Sequence, residues 1–436
     1  MADEKTASSD HTFWRGTTRL NAGKFSRRVN CRVFLDASQE KNLQVEIANE
    51  FGFGALNLVD DDQLSIDIPD VSEPIGLLMS GAKINSKGED FLTFSPKQLP
   101  ILKVRSQELL SGRTLLVNFA QYGFVTTRTS RFELIGAGWR TKFIPMSDET
   151  LAIPAGMQSD EYRVTHQVEF AREDGAAFTP SEVQDFLDDL HYFLSFCRGR
   201  WVATSFTIAF DKEGRIGMEE WGTGKVSPWR DPSSWVDEHH LGPILELFGP
   251  FCTKLVDETW KDALSQVVYW FQRAKTDSAG VDGGCILLQV SLERFSWHLL
   301  VREQKRFSEK SFNKLSAAER LRLMLEELAI PTTIPPGLQQ LGTYARFRKL
   351  DGPDVLTFIR NRLVHPPKPS AVQQKVPYYE AYSLAKWYLE LAVLSVCGYN
   401  GEYSNRTRLR RWVGQVEKVP WARSAGDVPH SSPPPA

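Results

Sequence analysis

The sequence predicts an α+β multidomain fold, a β-rich front half followed by an all-α helical bundle, and three observations carry that prediction. Short apolar and β-branched runs separated by Gly, Asp, Asn and Pro fill residues 13–170. A helix start with its own cap follows at Thr179-Pro180-Ser181-Glu182. From Leu241 onward apolar residues recur at helical spacing and continue to do so.

Taken in order, the runs Arg32–Leu35, Leu43–Ile47, Leu64–Ile68, Ile101–Val104, Leu115–Phe119 and Val164–Phe170 read as strands. Thr179 as N-cap, Pro180 in the first turn and Glu182 three residues after the cap predict a helix from Pro180 to about Cys197. Its inward face is Val183, Phe186, Leu187, Leu190 and Leu194, and Gly199 is placed to end it. Trp201–Phe210 and Arg215–Trp221 flank Asp211-Lys212-Glu213-Gly214, a hairpin signal. The loop from Gly222 to His239 then leads into five helix candidates: Phe251–Lys275, Cys285–Arg302, Ala317–Ala329, Pro353–Val364 and Pro377–Val396. A further element around Thr343–Arg348 stays unassigned. The expected domains are a disordered leader (1–12), a β-rich sensor or binding domain (13–240), the bundle (241–423) and a disordered tail (424–436).

The net charge of −2 means that any nucleic-acid contact has to come from a local basic patch, not from the field of the whole chain. The polar, acidic-leaning N-terminus lacks the apolar core of a signal peptide. The apolar stretch Tyr378–Tyr399 is interrupted by Glu380, Lys386 and Glu390, which marks a core helix and not a membrane span. Cys31, Cys197, Cys252, Cys285 and Cys397 are scattered and form no C-x-x-C pair, so reduced thiols in a cytoplasm are expected.

The candidate chemistry lies at Arg360-Asn361-Arg362-Leu363-Val364-His365-Pro366. An arginine and a histidine five positions apart are a weak motif by themselves. The setting adds weight. Val355, Leu356, Ile359 and Leu363 recur at helical spacing, Asp351 or Gly352 can cap, and Pro366 disfavours the α conformation at His365. The helix is therefore expected to stop near Val364. In a continuous helix, residues five apart are displaced by roughly 140° around the axis. Breaking the helix at the His-Pro step frees the imidazole to swing back toward Arg360.

Other clusters read more plainly. Arg406, Arg408, Arg410 and Arg411 with Trp412 form a basic cluster able to track an RNA backbone, or a solvated face. His239-His240 beside Asp237 and Glu238 lacks the spacing of a preformed metal site, and Asp60-Asp61-Asp62 reads as a solvated turn. Trp260, Trp270, Trp297 and Trp387 lie on helical faces and read as core. Gly52-Phe53-Gly54 and Gly280–Gly284 do not follow the strand-to-helix pattern of a phosphate loop.

The residues from about Phe251 to Trp421 resemble the HEPN superfamily of helical ribonucleases, whose motif is matched by Arg360-Asn361 followed by His365. Gly398-Tyr399-Asn400-Gly401-Glu402-Tyr403-Ser404-Asn405-Arg406, Val416–Trp421 and Leu292-Glu293-Arg294-Phe295 look like segments of its ApeA-type branch. Phe193-Leu194-Ser195-Phe196, Arg198-Gly199 and Glu220-Trp221 are similar to the N-terminal domain of ApeA-type proteins. That resemblance implies an anti-phage abortive-infection effector acting as a homodimer, with two motifs facing one cleft.

RNA cleaves itself when its 2′-hydroxyl loses a proton and attacks the adjacent phosphorus, so proton transfer and anion stabilisation suffice. His365 is the candidate general acid/base, Arg360 the candidate phosphate fork, and Asn361 the candidate orienting group. Arg362 is a further candidate phosphate contact. The expectation is a metal-independent endoribonuclease without a cofactor. Its partners would be RNA, with tRNA as one class, a second copy of the chain through the bundle, and a phage-derived trigger at the N-terminal domain, with no membrane. The alternative is a non-catalytic RNA-binding or regulatory protein with a ligand-sensing β-rich domain.

Overall fold

The computed structural model describes residues 11–23, 25–35, 43–48, 64–69, 71, 73–84, 90–119, 131–146, 162, 164–228, 234–237, 240, 242–276, 279–365, 375–408 and 414–422. The tail expected over 424–436 and the leader through residue 10 lie outside them, and the first strand already begins at His11.

A β-rich N-terminal region precedes a helical C-terminal region, as the residue patterns predict. β1 (His11–Ala22), β2 (Phe25–Leu35), β3 (Leu43–Ala48), β4 (Leu64–Asp67), β5 (Ile75–Ile84) and β6 (Asp90–Pro96) close a barrel in the order β1-β2-β3-β6-β5-β4. Alternate residues point inward along each strand, so Leu20, Val29, Val33, Val45, Ile47, Leu77 and Phe94 fill the interior. A second, antiparallel sheet is built from β7 (Ile101–Val104), β8 (Ser111–Val117), β9 (Phe132–Gly136), β10 (Trp139–Pro145), β11 (Val164–Arg172), β12 (Ala203–Phe210) and β13 (Ile216–Thr223). Its order is β7-β13-β12-β8-β11-β10-β9. Ile101 and Trp221 of this sheet join the core of the barrel.

The hairpin β12–β13 turns where expected, with the Gly214 amide donating to the Asp211 carbonyl at 3.0 Å. Helix α1 (Pro180–Arg198) carries the complete capping box of Thr179 and Glu182, and Gly199 ends it in the left-handed region at φ 66°. The predicted inward face is buried, and it is wider than predicted because Phe193, Phe196 and Cys197 are buried too.

The helical region comprises α2 (Gly242–Val256), α3 (Lys261–Arg273), α4 (Gly280–Trp297), α5 (Glu309–Phe312), α6 (Ala317–Glu327), α7 (Gln339–Arg348), α8 (Gly352–Val364) and α9 (Tyr378–Val396). Two expectations are corrected here. The single helix expected over Phe251–Lys275 is two, because the Asp257 carboxylate accepts from the Thr259 amide at 2.8 Å and turns the chain between α2 and α3. The unassigned stretch near Thr343 is helix α7, which buries only Leu341, Tyr344 and Ala345.

Across residue 240 the apolar packing is continuous. Phe196 of α1 stacks on Phe251 of α2 and Phe193 meets the same ring edge-on, and one core runs from Leu116 and Phe170 of the sheet to Leu391 and Val393 of α9. No helix among the described residues is long and apolar enough to cross a membrane.

Candidate functional site at the end of helix α8

Helix α8 is fixed at its start and open at its end. Asp351 caps it by accepting from the Asp354 amide at 2.9 Å, and Pro353 occupies its first turn. Arg322 of α6 reaches both Asp351 and Asp354 at 2.8 Å. Burial works against the Asp351 carboxylate, but the bonds from Arg322 and the Asp354 amide hold its pKa below the usual value. Val355, Leu356 and Ile359 are buried against α4, α6 and α9, and Thr357 accepts from Gln289 of α4 at 3.3 Å.

Three predicted residues lie on the last turn or at its end. The Asn361 carbonyl accepts from the His365 amide at 2.7 Å, and the Asn361 side-chain oxygen accepts from the Arg360 guanidinium at 3.1 Å. His365 leaves the helix at φ −125° and ψ 82°, as its position before Pro366 predicts; Pro366 itself lies outside the described residues. His365 and Asn361 are exposed, while Arg360 and Arg362 are half-buried. Neither arginine has a carboxylate partner among the described residues, and the Nε of each is buried without a hydrogen bond. A guanidinium without a carboxylate partner can take an anion.

The second basic cluster behaves otherwise. Arg406 is 3% exposed and makes a bidentate pair with Glu390 of α9, itself 1% exposed, so it presents no guanidinium to a phosphate. Arg408 pairs with Glu417 through both its Nε and Nη2. Glu417 also accepts from Tyr403 and Asn405, so these bonds hold the strands β14 (Glu402–Tyr403) and β15 (Glu417–Lys418) together, while Trp387 of α9 donates to the Tyr403 hydroxyl at 3.1 Å and ties them to the bundle. Arg410, Arg411 and Trp412 lie outside the described residues.

Among the other sequence candidates, Asp237 accepts from His240 at 3.1 Å and from the Gly414 amide at 2.8 Å, a stitch between two loops. His239, Glu238, Asp60–Asp62 and Gly52–Gly54 lie outside the described residues. Gly280–Gly284 opens helix α4, and Gly284 packs so closely on Tyr382 that a Cβ would lie 2.6 Å from the ring. Trp260 and Trp387 are buried core residues, whereas Trp270 and Trp297 are half-buried. All five cysteines are buried free thiols, and burial pushes those of Cys31, Cys285 and Cys397 up to about 12, so they make poor nucleophiles. No group of three or more His, Cys, Asp or Glu side chains among the described residues is arranged to hold a metal ion.

Sequence reasoning missed the neighbour of this site. Phe347, at the end of α7, is 79% exposed, and Arg348 beside it lies over the Phe358 ring of α8 at 5.7 Å. The only signal was a basic-aromatic run, Tyr344-Ala345-Arg346-Phe347-Arg348, in a stretch whose structure could not be assigned.

This is an α+β chain whose helical bundle displays an Arg-Asn pair and a histidine at one helix end. Residues 257–418 match the model of the YopA C-terminal domain, and residues 114–232 that of the YopA central domain. The chain is also similar to the SPbeta prophage-derived uncharacterized protein YopA of Bacillus subtilis (strain 168), 29% identical over 264 residues. That alignment covers 60% of this chain and 59% of the relative, so the chain matches about three fifths of the length of that relative. No solved structure matches. Arg360, Asn361 and His365 fall inside the C-terminal match, while the barrel formed by β1–β6 precedes both matched segments.

Proposed function

We propose that the chain is a metal-independent, HEPN-type endoribonuclease of ApeA-like character, working in bacterial anti-phage defence in the cytoplasm. The observation that carries this reading is the Arg360 guanidinium, bonded to the Asn361 side chain and without a carboxylate partner among the described residues, on the last turn of a helix that ends at an exposed His365. An imidazole can act as a general base, so one histidine can take the proton of the 2′-hydroxyl as the O2′–P bond forms. A second proton has to reach the departing 5′-oxygen as the P–O5′ bond breaks. A facing His365 from a second copy supplies that group, and the guanidinium holds the phosphate oxygens as their charge grows. The products are a 2′,3′-cyclic phosphate and a 5′-hydroxyl. The prophage origin of the relative sets this reading in a phage context.

The test is cleavage of RNA in the presence of a chelator. His365→Ala is expected to lower the rate by about 10²- to 10⁴-fold, the range for loss of a proton-transfer group, and Arg360→Ala by about 10²- to 10³-fold, the range for loss of one donor to the transition-state anion. Circular dichroism should be unchanged, because His365 is exposed and Arg360 half-buried. Cleavage that survives both substitutions, or that requires magnesium, rejects the proposal. Tight RNA binding without cyclic-phosphate ends leaves the non-catalytic RNA-binding alternative.

A further inference from the structure

Phe347 has no account in the packing of the fold. It is the most exposed of the large apolar side chains described, at 79%, on a helix that otherwise buries its apolar residues. It does not stand alone. The Arg348 guanidinium lies 3.8 Å from the centre of the Tyr344 ring, 5.6 Å from that of Phe347 and 5.7 Å from that of Phe358. Phe358 is flanked again by Arg362, one helical turn on, at 5.9 Å. Rings and guanidinium planes thus form a continuous band from the end of α7 along α8. Phe358 precedes His365 by about two turns, roughly 10 Å along the axis.

Cations predominate along this stretch of chain. Residues 346–362 carry Arg346, Arg348, Lys349, Arg360 and Arg362 against Asp351 and Asp354, which are both engaged by Arg322. In a chain of net charge −2, this concentration of cations is local, and it calls for an anionic partner. An exposed ring among cations is suited to one polyanion in particular. The face of a base is available for stacking only where the base is unpaired, and a duplex hides it.

We infer that the end of α7 and the outer face of α8 form a platform for single-stranded RNA. One base stacks on Phe347, and the adjoining phosphates lie along Arg348 and Arg362 toward His365. This rests on the ribonuclease reading for its direction, since His365 marks where the strand is cut, but its binding test does not depend on cleavage. Phe347 is a positioning residue that touches no reacting atom.

The experiment uses the full chain carrying His365→Ala, which keeps the RNA intact, and a fluorescent single-stranded oligoribonucleotide followed by anisotropy. Adding Phe347→Ala is expected to weaken binding by about 5- to 150-fold, the range for loss of one base–aromatic stack, and Phe347→Trp is expected to preserve it. Arg362→Gln is expected to flatten the dependence of log affinity on log salt by about 0.7, the value for one phosphate contact on a single strand. A blunt RNA duplex should show no dependence on Phe347. Single-strand affinity that is the same with and without Phe347→Ala, or an equal loss on the duplex, overturns the platform. Phe347-dependent binding by a chain whose unmutated form never cleaves RNA would instead uphold the platform and reject the ribonuclease reading.

Discussion

Arg406 and Glu390 form a charge pair withdrawn almost completely from water, at 3% and 1% exposure. Two ions in that position stabilise a fold only while both are present, because removing one leaves the other desolvated and uncompensated. Arg406→Ala is therefore expected to cost about 3–5 kcal/mol of stability, read by urea denaturation, and to leave the RNA affinity of the folded fraction unchanged. A fall in affinity at full stability would restore Arg406 to the RNA-binding set. The sequence shows a row of arginines here and does not show which are neutralised. The partner of Arg406 lies 16 residues earlier on α9, and Arg408 finds Glu417 nine residues later. Glu390 registers in the sequence only as an interruption of an apolar run. Arg360 and Arg362 look no different from Arg406 as letters. Their availability follows from the absence of a carboxylate partner among the described residues, which is a tertiary fact.

At the scale of elements, α8 delivers the site because its start is locked. The Gly352 amide donates to the Thr332 carbonyl at 2.9 Å, and a Cβ at Gly352 would lie 2.0 Å from the Tyr388 hydroxyl oxygen and 2.7 Å from the Thr332 oxygen. One of these obstacles is backbone, which cannot rotate aside. Gly352→Ala is expected to cost about 1–3 kcal/mol, the usual penalty for overpacking, and to lower RNA cleavage because the far end of α8 shifts with its start. Adding Tyr388→Phe should recover part of the stability by removing the nearer atom. Denaturation midpoints of the single and double variants check this; the double variant being no more stable than Gly352→Ala would locate the strain at Thr332 alone. What was legible among the elements was what is decided locally. The cap, proline and terminal glycine of α1 are all within its own sequence, and so is the proline that ends α8. The hairpin of β9 and β10 was missed because its turn has Ala137 at φ 54° and Gly138 at φ 78°. Asn-Gly is the signal for that conformation, and alanine conceals it. β5 was missed where its pairing with β6 shifts register between Met79 and Gly81, which breaks the alternation that identifies a strand.

At the scale of the molecule, one core joins the second sheet to the bundle, so the site stands on a rigid base rather than on a detached helical module. Phosphodiester cleavage moves a proton off one oxygen and onto another, and among the described residues a single chain offers one histidine at this helix end. Val364, next to His365, is 43% exposed, and Tyr379 at the start of α9 is 69% exposed, so apolar surface is available close to the motif for a second copy. If the active unit is a pair of chains with facing motifs, an inactive chain should poison an active one. Mixing native chain with a molar excess of His365→Ala chain, after subunits have been allowed to exchange, is expected to reduce cleavage well below the rate of the same amount of native chain alone. Sedimentation should place both proteins, and the mixture, at the mass of a dimer. A mixture that cleaves at the full rate of its native component would mean that each chain carries a complete site, and the donor of the second proton would then have to be sought within the same bundle.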